Sequence, residues 1–115
     1  MESDNSPGPP GQDRRASQRV KIRVPVELRP QASPFPVFGE TSDISLSGCY
    51  VEMMFTFDNG TELEIILKIG STLLALGTVV TCDSNVGNGI EFTKILPEDI
   101  EELKQYLESV LPEPG

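Results

Sequence analysis

The chain has no histidine, no tryptophan and only two cysteines in 115 residues. Without imidazole, the familiar zinc sites and the His-assisted serine or cysteine nucleophiles have neither ligand nor base. Cys49 and Cys82 lie far apart in apolar stretches, which reads as a pair of small reduced core residues rather than a disulfide. No apolar run approaches the roughly 18 to 20 residues of a membrane span. The acidic, proline-rich start has neither the cationic nor the apolar region of a signal peptide, so a soluble, cytoplasmic protein is expected. Cations are scarce as well: nine Lys+Arg stand against 18 Asp+Glu, for a formal net charge of −9. Duplex DNA and anionic lipid repel such a chain at long range, so neither is expected as its main partner.

The few cations are crowded together. Arg14, Arg15, Arg19, Lys21 and Arg23 are five of the nine, all within positions 14–23. A guanidinium is planar and permanently charged, and its donors form a fork that matches phosphate oxygens or the O6/N7 edge of guanine. Several arginines on a flexible lead-in suit closure over a nucleotide. Two plainer readings stand beside this one: a solvated cationic patch that keeps a strand edge soluble, and a basophilic kinase site at Ser17 within "RRAS".

Residues 1–13 carry no apolar periodicity and are expected to form a disordered tail. The remainder, 14–111, is expected to be a single domain with one modest core, followed by a short tail over 112–115. From Val20 the apolar residues Val20, Ile22, Val24, Val26 and Leu28 alternate with polar ones, the period-2 signature of a half-buried strand, and Pro25 marks an edge or a bulge. Further strands are predicted at Val37–Ser42, Gly48–Phe55, Glu62–Ile69, Leu73–Cys82 and Gly89–Thr93. The breaks "DNG", "GS" and "SNVGNG" supply Gly or Asn where positive φ costs little. Six short strands with turn chemistry between them predict an all-β barrel or sandwich.

The period then changes. Ile100, Leu103, Leu107, Val110 and Leu111 share one face of a helix that Pro97 opens, Glu98, Asp99, Glu101 and Glu102 complement at its dipole, and Pro112 ends. Such a C-terminal helix is expected to cap the barrel; a partner-binding or dimerisation helix is the alternative.

"TSDISLSGCYVE", residues 41–52, sets Asp43, Ser45 and Gly48 between two predicted strands. A carboxylate accepts from guanine N1–H and N2–H, a hydroxyl donates and accepts, and glycine lets a ligand approach the backbone. Taken alone, D-x-S-x-x-G is an ordinary turn with its side chains bonded to local amides.

Together, R-x-x-x-R at Arg15 and Arg19, a strand, and D-x-S-x-x-G at Asp43, Ser45 and Gly48 resemble the paired signature of the PilZ domain family. "GNGIEF", residues 87–92, resembles that family's closing strand. The resemblance covers residues 14–111 and implies a six-stranded antiparallel PilZ-type β-barrel that binds the bacterial second messenger cyclic di-GMP. It implies that Arg15 and Arg19 grip phosphates and guanine Hoogsteen edges, that Asp43 and Ser45 hold a guanine, and that Gly48 leaves room for the base. Arg14 stands where a further arginine in this family accompanies a stacked, two-molecule ligand. Many relatives carry a stacking Trp late in the fifth strand; here that position offers Thr81 or Cys82.

The expected function is therefore that of a cyclic di-GMP receptor or adaptor, not an enzyme, with no cofactor and no metal. Its partner is expected to be an effector protein of a motility, adhesion or polysaccharide system. The alternative is a PilZ-like interaction module with little ligand affinity. An enzyme acting on nucleotides is disfavoured, because nothing beside Asp43 and Ser45 activates a nucleophile.

Overall fold

A computed structural model of the chain describes residues 18–110. Six antiparallel strands close a barrel in the order β1-β2-β3-β6-β5-β4, with β4 returning to pair with β1. They are β1 (Pro25–Pro30), β2 (Val37–Ile44), β3 (Gly48–Glu52), β4 (Glu62–Lys68), β5 (Thr72–Asp83) and β6 (Gly87–Ile95), followed by a helix, α1 (Pro97–Val110). The expected all-β barrel with one C-terminal helix is the architecture found.

Alternation builds the core. Val26 and Leu28 of β1, Leu63, Ile65 and Leu67 of β4, and Leu73, Ala75 and Val79 of β5 all turn inward and lose contact with water. The turns use the predicted residues: Gly60, Gly70 and Asn85 take positive φ. On α1, Leu103 and Leu107 enter the barrel core, each burial contributing roughly 1.5 to 3 kcal/mol. Ser71 at the β4–β5 turn donates a hydrogen bond to Glu102 of the helix. The helix therefore caps the barrel. Ile100 shares the same face but sits at the first turn, where it stays exposed; Leu111 lies outside the described residues.

The structure corrects the start of the first strand. Regular pairing begins at Pro25, and Val20 to Val24 form an extended lead-in joined to β2 by an isolated bridge between Val20 and Ile44. Pro25 pairs with Glu40, so five steps from Val20 to Pro25 face four from Ile44 to Glu40, and the lead-in carries one extra residue. Period-2 alternation survives this offset in burial, which is why it was invisible in the pattern. Thr41 repairs the ladder: its buried Oγ1 accepts the Val24 N–H at 2.9 Å and donates to the Ile22 carbonyl at 2.6 Å.

A second irregularity lies on the other side of β2. Its register with β3 shifts between Thr41 and Asp43. An extra residue reverses the facing of everything beyond it. Thr41 points inward before the shift, and Ile44 points inward after it. Asp43 is thereby turned to the outer face opposite its partner, Tyr50. Thr41→Val should leave the Val24 amide and the Ile22 carbonyl without their partner and cost about 1 to 3 kcal/mol, read as a lower urea midpoint with an unchanged slope.

Candidate functional site

Strand pairing aligns a row of residues across the outer wall. Asp43 of β2 faces Tyr50 of β3, Tyr50 faces Gly89 of β6, and Gly89 faces Thr81 of β5. The register of β5 against β6 shifts between Val79 and Thr81, leaving Val80 unpaired and exposed at the row's far end. A cleft of about 470 Å³ opens over this part of the wall, lined by Arg19, Gly48, Tyr50, Thr81 and Gly89 and bordered by Val80 and Glu91.

Arg19 reaches the cleft from the lead-in. Its Nε donates to Asp43 Oδ1 at 2.9 Å and its Nη2 meets the same oxygen at 2.8 Å. The Val20–Ile44 bridge places Arg19 at this spot by fixing the very next residue, with both backbone bonds made at 2.8 and 3.0 Å. Among the residues lining the cleft, Arg19 is the one cation and Glu91 the one anion. Arg23, another member of the basic cluster, is directed elsewhere: it bridges Glu52 at 2.9 Å and Glu40 at 3.6 Å, stapling the lead-in to β2 and β3. Arg14 and Arg15 lie outside the described residues.

The rest of the second motif is divided between turn and cleft. Ser45 is fully buried. Its N–H donates to the Gly48 carbonyl at 2.8 Å, and its Oγ accepts the Ser47 N–H at 3.1 Å and lies 3.0 Å from Ser47 Oγ. Ser45 thus builds the β2–β3 turn, and the exposed Ser47 lines the cleft. Gly48 does both: it borders the cleft, and a methyl group there would lie 2.2 Å from the Ile90 carbonyl oxygen, so pairing with β6 by itself demands glycine.

Tyr50 is the aromatic of the cleft, and sequence reasoning missed it. It sits two residues beyond Gly48, and only the pairing with β6 puts it over the wall. Its ring covers two glycines of that strand: Cε1 is 2.6 Å from where a Gly87 Cβ would stand, and Cδ2 is 3.8 Å from a Gly89 Cβ. The phenol donates to Asp83 Oδ2 at 2.6 Å. Loss of water around the phenol, together with the Asp83 hydrogen bond and charge, pushes it up to about 12. Burial likewise pushes the Cys49 thiol up to about 12, which leaves it inert as a nucleophile. The described residues contain no group of carboxylates and thiols able to hold a metal ion.

The described residues thus form a closed antiparallel barrel with one capping helix and an arginine-edged cleft on its wall. The PilZ domain profile matches residues 13–109, and the chain belongs to that family. PilZ domains are a family of cyclic di-GMP receptor domains, acting as receptors or adaptors rather than enzymes. The fold is similar to the PilZ domain of CeSA from a cellulose-synthesising bacterium, with a TM-score of 0.66 and 20% identity over 82% of this chain and 98% of that one. It is also similar to the Bacillus subtilis inhibitor of motility MotI/DgrA, with a TM-score of 0.72 and 19% identity over 88% of this chain. The match spans 55% of MotI/DgrA's length. No protein of curated function matches the chain by sequence. No helix among the described residues is long and apolar enough to cross a membrane.

The held-back ionisation of Tyr50 is directly measurable. In a Tyr106→Phe variant, where Tyr50 is the only tyrosine, absorbance titration should give a midpoint near 12, and adding Asp83→Asn should lower it. Because the folded value lies above the unfolded one of about 10, the contribution of this group to stability is complete below about pH 10 and disappears as pH rises through 12.

Proposed function

We propose that this PilZ domain is a cytoplasmic cyclic di-GMP receptor that works as an adaptor, its arginine segment closing over the ligand at the wall cleft. The observation that supports this reading is a cleft of about 470 Å³ lined by Arg19 and the Tyr50–Gly89–Thr81 row, with Asp43 paired to Arg19 beside it. Arg19 binds a phosphate or a guanine O6/N7 edge, and Asp43 accepts from guanine N1–H and N2–H. Their mutual ion pair is solvent-exposed, and such pairs contribute only about 0 to 1 kcal/mol. Exchanging it for ligand contacts therefore costs little.

With one cation at the cleft edge, a ligand carrying phosphates draws further charge from Arg15 and Arg14, which stand just upstream of Arg19. Ser45 acts chiefly through the turn it builds, presenting Ser47 and Gly48. Tyr50 takes the stacking role that Thr81 and Cys82 lack, since its ring lies over bare glycine backbone at the cleft wall. Closure of the arginine segment over the ligand changes a surface read by an effector protein. The likeness to an inhibitor of motility and to a PilZ domain from a cellulose-synthesising bacterium favours a partner in a motility or polysaccharide system.

Calorimetric titration with cyclic di-GMP tests this. Saturable binding is expected in the native chain, and Arg15→Ala/Arg19→Ala, which removes two charge-assisted contacts of roughly 1.5 to 3 kcal/mol each, should weaken it by about two to four decades. No heat and no spectral change at millimolar ligand in the native chain would reject the receptor reading. Tyr50→Leu should weaken binding by about one to two decades, the equivalent of a lost stacking contact.

A further inference from the structure

The barrel end beside the β5–β6 turn presents apolar side chains to water on a loop that is held rigidly. Phe55, Met54 and Val86 are 83%, 69% and 58% exposed. The loop leaving β3 is nonetheless pinned from beneath. The buried Asn88 accepts the Phe57 N–H at 2.8 Å, donates to the Phe57 carbonyl at 2.9 Å, and donates again to the Thr81 carbonyl at 3.1 Å. The Met53 N–H donates to the Val86 carbonyl at 3.0 Å and the Gly60 N–H to the Val79 carbonyl at 2.8 Å. A fully satisfied buried amide thus fixes a loop that packs Met53 and Phe57 partly against the core and leaves Met54 and Phe55 between them in water. Backbone pins on both sides of Met54 and Phe55 reduce the backbone entropy lost when the tip is covered.

The surroundings select the partner's chemistry. No Lys or Arg occurs from residue 30 to 67 or from 69 to 93. Glu52 and Asp58 flank the tip in sequence, and Asp83 opens the adjoining turn. Arg23 offsets Glu52, whereas no salt bridge among the described residues reaches Asp58 or Asp83. The tip is an apolar centre in an anionic surround. A second copy would oppose Asp58 and Asp83 to their own kind across a two-fold axis, and an anionic membrane would repel them too.

We propose that the Met54–Phe55–Val86 tip is the docking surface for a partner protein whose contact face is an apolar stripe flanked by lysines or arginines. This does not depend on the cleft binding a nucleotide, and its test uses none. The probe is a designed amphipathic peptide with leucines on one face flanked by lysines, titrated into the nitrogen-15-labelled full chain beside a counterpart flanked by glutamates. Saturable amide shifts centred on Met53 to Phe57 and Val86 are expected with the lysine peptide and none with the glutamate peptide. Met54→Ser/Phe55→Ser should weaken that binding about tenfold or more while leaving the melting curve in place, since both side chains are exposed. No binding of the lysine peptide, shifts centred instead on Leu74, Leu76 and Leu96, exposed leucines that line a separate pocket, equal binding of both peptides, or undiminished affinity in the variant would each overturn the proposal.

Discussion

The Thr41 hydroxyl stands between the Val24 N–H and the Ile22 carbonyl, and the geometry of the cleft depends on that bridge. An extra residue in the lead-in breaks its regular pairing with β2 and would strand two backbone groups against the core. A buried polar group without a partner costs more than a hydrogen bond contributes, so the repair matters more than an average contact. With the lead-in held there, Val20 closes its two bonds with Ile44, and Arg19 comes to rest against Asp43. The opposite side of β2 supplies the complementary piece, since the register shift before Asp43 is what faces that carboxylate outward.

Two kinds of interaction are layered in this region. The pairs that present chemistry, Arg19 with Asp43 and Arg23 with Glu52, lie at the surface, where they are weak and exchangeable. The groups that hold them in place, Thr41, Ser45 and Asn88, are fully buried and bonded to backbone. Asn88 serves both regions of interest, since it ties the Thr81 carbonyl at the cleft to the loop that carries Met54 and Phe55. Rigid support beneath exchangeable surface groups is the arrangement a reversible binding module requires.

Much of the barrel was legible because burial in a small antiparallel sheet imposes period 2, and Val26, Leu28, Leu63, Ile65 and Leu67 obey it. Helix α1 was legible from its change of period and from Pro97. Strand ends were less so: β3 stops at Glu52 where the pattern ran on to Phe55, because Asn88 draws the chain into a loop. In the candidate site, Arg19 and Gly48 line the cleft and Asp43 pairs with Arg19 beside it, while Ser45 is buried in the β2–β3 turn. Tyr50 had no local signal at all, since its significance comes from Gly87 and Gly89 on a strand nearly forty positions away.

Local pattern set the class of structure and the chemical repertoire: alternation made the barrel, turn residues set its hairpins, and a chain without histidine or tryptophan draws on other groups, guanidinium, carboxylate, hydroxyl and phenol among them, to meet a ligand. Strand pairing set which of these face one another. Facing in a sheet depends on register, register depends on where an extra residue is inserted, and a one-residue shift leaves the local hydrophobic pattern almost unchanged while it reverses a side chain. That is why Asp43 could be named as a candidate from its neighbours in sequence, yet its place beside Arg19 and opposite Tyr50 became visible only once the strands were paired.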